Sequence, residues 1–220
     1  MASETIAADV AIIGGGVIGC STAHFIASMA PGTAVAVVEP DPTYGFASTP
    51  RASGGCRIQF SLPENVEMST FGIDFIRNFA ARMTVAGRDP PDVGWTEGGY
   101  LFIVPPAATT MLERNVALQR SKGCEVDLLA PRELESRFPS MRVDDLGAGA
   151  HSPRDGWCDP HALLWGFRKK AASEGVAFVQ GRVVSMDCGP RAVRSLALDD
   201  GRKVVAKDFV NAAGAWSGEV

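Results

Sequence analysis

The run Gly14-Gly15-Gly16-Val17-Ile18-Gly19 reads G-x-G-x-x-G, a spacing that brings bare backbone N–H groups against a pyrophosphate. Gly14 permits a tight strand-to-helix turn, Gly16 removes a Cβ where backbone must approach phosphate, and Gly19 lets the helix lie close to its sheet. Glu39, twenty residues past Gly19, offers a carboxylate that can accept both hydroxyls of an adenosine ribose and would repel a 2′-phosphate. Arg57 is the sharpest candidate for work near a reacting centre. A guanidinium there can stabilise negative charge on a reduced ring or hold a substrate carboxylate; the plain alternative is an arginine pairing with a loop carbonyl.

These residues need a strand, a helix and a second strand to position them. Residues 10–13 (VAII) form a continuous apolar run, as a parallel strand covered on both faces requires. A helix over 17–29 then aims its unpaired N–H groups and positive dipole end at the phosphates, and Val17 and Ile18 stand at that end. Pro31-Gly32 ends the helix, and a second apolar strand over 34–38 delivers Glu39. The order strand, glycines, helix, strand, acid is the context that the motif demands. By itself it leaves FAD and NAD open.

Composition narrows the rest. The chain has 220 residues, 46% hydrophobic and 21% charged, with a formal net charge of -4, the profile of an ordinary globular chain with no basic surplus for nucleic acid. Cys20, Cys56, Cys124, Cys158 and Cys188 are odd in number and scattered, which argues against a disulfide framework or a zinc site and suits a reducing compartment. His24 reads as a packed helix residue, and His151 and His161 lack partners at ligand spacing, so no metal is expected. Residues 1–9 are too short and acidic for a leader, and no apolar run reaches membrane-spanning length. A cytoplasmic location without an integral membrane segment is the expectation.

Residues 41–60 carry no periodicity and read as a long functional loop, with small polar groups and glycines at Ala47-Ser48-Thr49 and Ser53-Gly54-Gly55-Cys56-Arg57. Ser61 and Glu64 have capping-box spacing. The helix they open is expected to bury Met68, Phe71, Phe75, Phe79 and Met83. Farther on come strands at 100–104, 126–129 and 147–151, helices at 109–121 and 131–138, and a turn at Gly156. Asp159 and Pro160 then suit N-cap and N1 of a helix over 161–174. Asp199-Asp200-Gly201-Arg202 forms a hairpin, and residues 209–213 form a buried strand ending in small residues.

The stretch ASTPRASGGCRIQFSLPENV, beginning at Ala47, resembles the flavin-proximal loop of the D-amino-acid oxidase superfamily. That superfamily includes glycine and sarcosine oxidases, sarcosine and dimethylglycine dehydrogenases and D-amino-acid dehydrogenases. Its FAD-dependent oxidoreductase domain-containing members are the most similar. The resemblance implies FAD, with Ser48 and Thr49 near the phosphates and Ser53, Gly54, Gly55 and Arg57 near the isoalloxazine ring. It implies backbone near Val183 at adenine, backbone of Ala213 and Gly214 at the pyrophosphate, and Trp216 packed nearby. This second contact favours FAD over an NAD-linked dehydrogenase.

The implied fold is α/β, a Rossmann-like FAD/NAD(P)-binding domain with an inserted, mostly antiparallel α+β substrate domain. The boundaries expected are 1–90 and 153–220 for the FAD-binding parts and 91–152 for the substrate portion. The activity implied is oxidation of a C–N bond in a small amine or amino acid, of the N-methyl or D-amino acid class, by hydride transfer to flavin N5. Electrons then pass to oxygen, a quinone or a carrier protein. An FAD-binding assembly or scaffold factor without turnover is the alternative. No catalytic base is assigned, and the chain is expected to lack the C-terminal part of such a protein.

Overall fold

The computed structural model describes residues 4–190 and 192–220. The chain begins with β1 (Thr5–Ala7), β2 (Val10–Ile13), α1 (Val17–Met29) and β3 (Val35–Glu39). Next come β4 (Gly55–Cys56), α2 (Pro63–Arg77), α3 (Phe79–Met83), β5 (Thr96–Glu97), β6 (Tyr100–Val104) and α4 (Thr109–Ser121). These lead to β7 (Asp127–Leu129), α5 (Pro131–Arg137), β8 (Ala148–Ser152) and β9 (Gly156–Trp157). The last stretch holds α6 (Pro160–Ser173), β10 (Ala177–Gln180), β11 (Val183–Cys188), β12 (Val193–Leu198), β13 (Lys203–Val205) and β14 (Asp208–Asn211). Two compact units divide the chain, one of residues up to 52 with 83–91 and 160–220, the other of 53–82 and 92–159.

In the first unit, β10-β3-β2-β14 form a wholly parallel sheet. Its central strands are apolar on both faces because both are covered. Ile12, Val35 and Val37 pack with Ala23 of α1 and Ala171 of α6, while Ala11, Ile13 and Val38 pack with Leu196, Leu198 and Val204. Those last three belong to a second sheet, β1-β13-β12-β11, so the unit has a helix layer, a parallel sheet and a mixed sheet. The β12–β13 hairpin turns at 199–202 as expected, with Asp200 Oδ1 accepting the Arg202 N–H at 3.0 Å. The opening residues 1–3 lie outside the described residues. Thr5–Ala7, expected to precede the first strand, is itself one, running parallel to β13. β14, expected to be buried, is an edge strand with Asp208 and Asn211 exposed, since only β2 flanks it.

Two glycines fix how α1 leaves β2. Gly14 has φ +99°, a left-handed conformation costly for any residue with a Cβ. A Cβ on Gly19 would overlap the Gly14 carbonyl oxygen, so the first turn of α1 rests directly on the strand-to-helix turn.

The second unit is antiparallel, as expected for a substrate-type domain. β6-β8-β7 form one sheet and β4-β9-β5 another. Ile58, Ile73, Leu112, Val116, Val126, Ala148 and Ala150 make its core. Segment 53–82 belongs here, rather than with the nucleotide-binding strands as the sequence division has it. The reason is that α2 packs on α4, where Lys122 Nζ meets Glu67 Oε1 at 2.6 Å and Ile73 joins the core.

Three local expectations change. The helix expected over 63–83 is two, because Asn78 ends α2 and turns its Nδ2 back to the Asp74 carbonyl at 2.9 Å. Val66, Ile73 and Phe75 form the buried face of α2, whereas Met68 and Phe71 are 63% and 56% exposed. Ser61 makes no capping bond; Leu62 is the N-cap and Pro63 opens the helix with its fixed φ. Gly156 makes no turn. It sits in β9, where a Cβ would overlap the Thr96 carbonyl oxygen, so its bareness serves the close approach of β5.

Gly19→Ala is expected to destabilise the protein by about 1–3 kcal/mol through overpacking at the β2–α1 junction. Thermal or denaturant unfolding measures this, and an unchanged midpoint contradicts the packing described.

Candidate functional site

In the first unit the structure gathers the two sequence motifs expected to share a ligand. A Cβ on Gly14 would lie 2.5 Å from the Ala212 carbonyl oxygen and 3.0 Å from Ala213 Cα, so the glycine turn and the end of β14 are in backbone contact. Ala212 N–H donates to the Ile13 carbonyl at 2.8 Å, continuing the ladder past the strand. Ala213 N–H is taken by Asn211 Oδ1 at 3.1 Å, and Gly214 starts a short 3-10 turn to Trp216. The Trp216 side chain, expected to pack nearby, is 43% exposed.

The N-terminus of α1 opens from this corner. Gly16 is its N-cap, in extended conformation and without a side-chain cap. The first intrahelical bond is Cys20 N–H to the Gly16 carbonyl at 2.9 Å, so the Ile18 and Gly19 amides precede it. Val17 N–H donates to Thr49 Oγ1 at 3.2 Å. Thr49 thus caps the helix from the loop, with Ser48 exposed just before it. A Cβ on Gly16 would meet nothing nearer than Thr49 Oγ1 at 3.6 Å. The bareness of Gly16 is therefore not demanded by the packing of the protein itself, unlike that of Gly14 and Gly19.

Glu39 is anchored at the same strand end. Its Oε2 accepts the Gly15 N–H at 2.7 Å and its Oε1 the Asp41 N–H at 2.9 Å. Gln180 lies opposite Glu39 on β10, and Gly181 N–H donates to the Glu39 carbonyl at 3.1 Å. A depression of about 290 Å³ lined by Pro40, Gln180, Gly181, Asp199, Asp200 and Arg202 adjoins these strand ends. Val183 begins β11 opposite Leu198, its side chain against the core, and the register shifts before Ser185.

Sequence reasoning missed Gly15 and Tyr44. A Cβ on Gly15 would fall 3.1 Å from both the Glu39 Cβ and the Tyr44 hydroxyl, so the middle glycine is wedged between them. Its carbonyl accepts from Cys20 Sγ at 2.9 Å. Tyr44 is buried with φ +59°, and its ring stands edge-on to Trp165 at 5.6 Å. Burial pushes its hydroxyl pKa up and that of the Cys20 thiol up to about 12, leaving both neutral. Asp41 holds the turn, accepting from Thr43 N–H at 2.9 Å and Gly45 N–H at 2.8 Å. Pro42 and Gly45 signal that turn in the sequence, but not the left-handed tyrosine within it.

The second unit holds Ser53, Gly54, Gly55 and Arg57. Ser53 is exposed, Gly54 accepts the Cys158 N–H at 3.0 Å, and Gly55 sits in β4 against the Tyr100 ring. The Arg57 guanidinium lies over three aromatic rings, 4.8 Å from Phe60, 5.3 Å from Phe102 and 5.5 Å from Tyr100. Its Nε is buried without a hydrogen-bond partner. Behind it Asp155, 1% exposed, accepts the Ile58 N–H at 3.1 Å. Burial raises the Asp155 pKa to about 6, against lowering by the Ile58 and Ser152 hydrogen bonds and by Arg77 and Arg57.

A parallel sheet with a glycine turn, a helix N-terminus opening from it and an acid at the next strand end defines a dinucleotide-binding protein. The family model for FAD dependent oxidoreductases matches residues 9–220, and the chain belongs to that family. It is 36% identical to FAD-dependent oxidoreductase domain-containing protein 1 of Bos taurus, over 96% of this chain and 48% of that protein. It is 29% identical to mitochondrial sarcosine dehydrogenase of Mus musculus, over 97% of this chain and 23% of that protein. Its fold matches glycine oxidase from Bacillus cereus ATCC 14579 with a TM-score of 0.73 and 25% identity, over 97% of this chain and 57% of that one. The chain spans about half the length of the first of these relatives. The cofactor is FAD, and the residues fit it: the open space at Gly16 and the amides ahead of Cys20 form a cradle that a Cβ would fill.

Asp155 sets a pH test. Its folded pKa stands above the ordinary carboxylate value, so the folded state keeps a proton that the unfolded chain has lost between about pH 4 and pH 6. Its contribution to stability is complete below that window and is lost as pH rises through it. Asp155→Asn is expected to remove this component, so that the stability difference from wild type changes across pH 4–6; a constant difference contradicts it.

Proposed function

We propose that the full-length protein oxidises the C–N bond of a small amine or amino acid, of the N-methyl or D-amino acid class. The observation that carries this reading is Arg57, a cation held by three aromatic faces with an unpaired, buried Nε. Those faces orient the guanidinium while leaving donors for a carboxylate. Similarity to sarcosine dehydrogenase, named for N-methylglycine, supports the substrate class.

Bound FAD supplies a two-electron acceptor at flavin N5 for hydride from the carbon beside the substrate nitrogen. The amides of Gly16, Val17, Ile18 and Gly19 would hold the pyrophosphate, with the hydroxyls of Thr49 and Ser48 as further donors to it. Gly14 keeps the turn that presents them, and backbone at Ala213 and Gly214 closes the other side, next to Trp216. Glu39 would accept from the ribose hydroxyls, and backbone near Val183 would meet adenine. The resemblance assigns Ser53, Gly54, Gly55 and Arg57 to the ring end. Arg57 binds the substrate carboxylate and so fixes which carbon is presented. Water hydrolyses the imine product, and oxygen, a quinone or a carrier protein takes the electrons.

The test is anaerobic mixing of the full-length flavoprotein with a panel of N-methyl and D-amino acids. Bleaching of the oxidised flavin band by at least one is expected; an unbleached flavin across the panel overturns turnover and favours an FAD-binding scaffold. With the substrate so found, Arg57→Met is expected to raise KM roughly 10- to 100-fold, the loss of one charged hydrogen bond of about 1.5–3 kcal/mol. Oxidation of the matching amine lacking a carboxylate should be little changed. An unaltered KM for the amino acid contradicts the role of Arg57.

A further inference from the structure

Cys56 and Cys158 are diagonal neighbours across a two-residue ladder of the second unit. In β4 and β9, Gly55 stands opposite Trp157 and Cys56 opposite Gly156, and Cys158 N–H continues the ladder to the Gly54 carbonyl at 3.0 Å. Side chains alternate along a strand, so Gly54 and Cys56 share a face with Gly156 and Cys158. Each cysteine is thus opposed by a glycine, and no side chain stands between the two sulfurs. The Cys56 thiol donates to the Gly54 carbonyl at 3.4 Å, the residue opposite Cys158 on the ladder. Cys158 is buried and Cys56 half-buried, so Cys56 is the more accessible residue of the pair.

We propose that Cys56 and Cys158 are an oxidisable dithiol that closes into a disulfide between β4 and β9, with hydrogen peroxide as the oxidant and Cys56 reacting first. The Cys56 thiolate attacks one peroxide oxygen, the O–O bond breaks, and the departing hydroxide takes a proton to leave as water. Cys56 is then a sulfenic acid. The Cys158 sulfur attacks it, the S–O bond breaks, and the Cys158 proton leaves with the hydroxide as a second water. In sum, two thiols lose two electrons and two protons, and one peroxide becomes two waters.

The environment divides the roles. The neighbouring Cys158 thiol holds the Cys56 thiol below its ordinary pKa against burial and the Asp155 charge, whereas the Cys56 thiol and burial push Cys158 up. Cys20 is buried beneath the glycine turn with its pKa raised, and it donates to the Gly15 carbonyl. Diagonal neighbours on a ladder stand about 7–8 Å apart, beyond the usual disulfide span of about 4.4–6.8 Å between Cα atoms, so the bond requires the strands to shift by about 1 Å. Two opposing glycines and a two-residue pairing leave room for the small closure that the bond needs. The bridge would pin the residue before Arg57 to β9.

The experiment treats the full-length, reduced protein with about one equivalent of hydrogen peroxide, blocks remaining thiols and maps peptides without reduction. A Cys56–Cys158 crosslinked peptide reversed by dithiothreitol is expected, with Cys20, Cys124 and Cys188 still blocked as free thiols. Cys158→Ser should instead accumulate a sulfenic acid at Cys56, trapped by dimedone. Cys56→Ser should lower oxidation of Cys158 at least tenfold. Preferential oxidation of exposed Cys188, or absence of the crosslink in the wild-type protein, overturns the proposal whatever the variants do.

Discussion

The contact between Gly14 and the backbone of Ala212 and Ala213 is the constraint on which the nucleotide-binding corner depends. Two parallel strands, β2 and β14, end side by side, and each must turn away without filling the space above. Gly14 achieves this with a left-handed φ and no Cβ, since one would strike the Ala212 carbonyl oxygen. The Ala212 N–H to Ile13 bond then holds both strand ends at one level. α1 starts from that level, and Gly19 lets its first turn settle on the Gly14 carbonyl. Three glycines therefore do different work: Gly14 and Gly19 serve the packing of the protein, and Gly16 leaves space for a ligand.

A second layer of support lies under the turn. Gly15 donates to Glu39, accepts from Cys20 and has the Tyr44 hydroxyl alongside. The Glu39 carboxylate, proposed for the ribose, is thereby tied to the same peptide that shapes the turn proposed for the phosphates, so one residue links the two. Tyr44 keeps a left-handed backbone for a bulky side chain, a cost of order 1–3 kcal/mol that its burial against Trp165 must offset.

How much of this could be read from residues alone follows from the range of the interactions. The β2–α1–β3 unit is legible because its signals are local: an apolar run, glycines at fixed spacing and an acid at a strand end. The antiparallel character of the second unit and the 199–202 hairpin are legible for the same reason. β1 was not, because three residues beginning at Thr5 become a strand only through pairing with β13, almost two hundred positions away. Of the apolar stripe expected over 68–83, Phe75, Phe79 and Met83 are buried whereas Met68 and Phe71 are exposed, because spacing does not say which face a partner covers and α4 takes Ile73. Gly156 looked like a turn because a close strand approach leaves no trace in the sequence beyond the glycine itself. Arg57 could be singled out by type and position, but its three aromatic neighbours come from residues 60, 100 and 102, which only folding brings together.

The central claim is that Gly16 is bare for the sake of FAD and not for the fold. The most direct measurement is FAD content and affinity of full-length Gly16→Val beside its unfolding curve. Gly16 has φ −62° and ψ −175°, a conformation open to valine, and a Cβ there has nothing nearer than 3.6 Å. The account predicts a folded protein, destabilised by no more than about 1 kcal/mol from the poorer N-cap, that has lost FAD. A variant that keeps FAD at wild-type affinity, or one that unfolds outright, would contradict it.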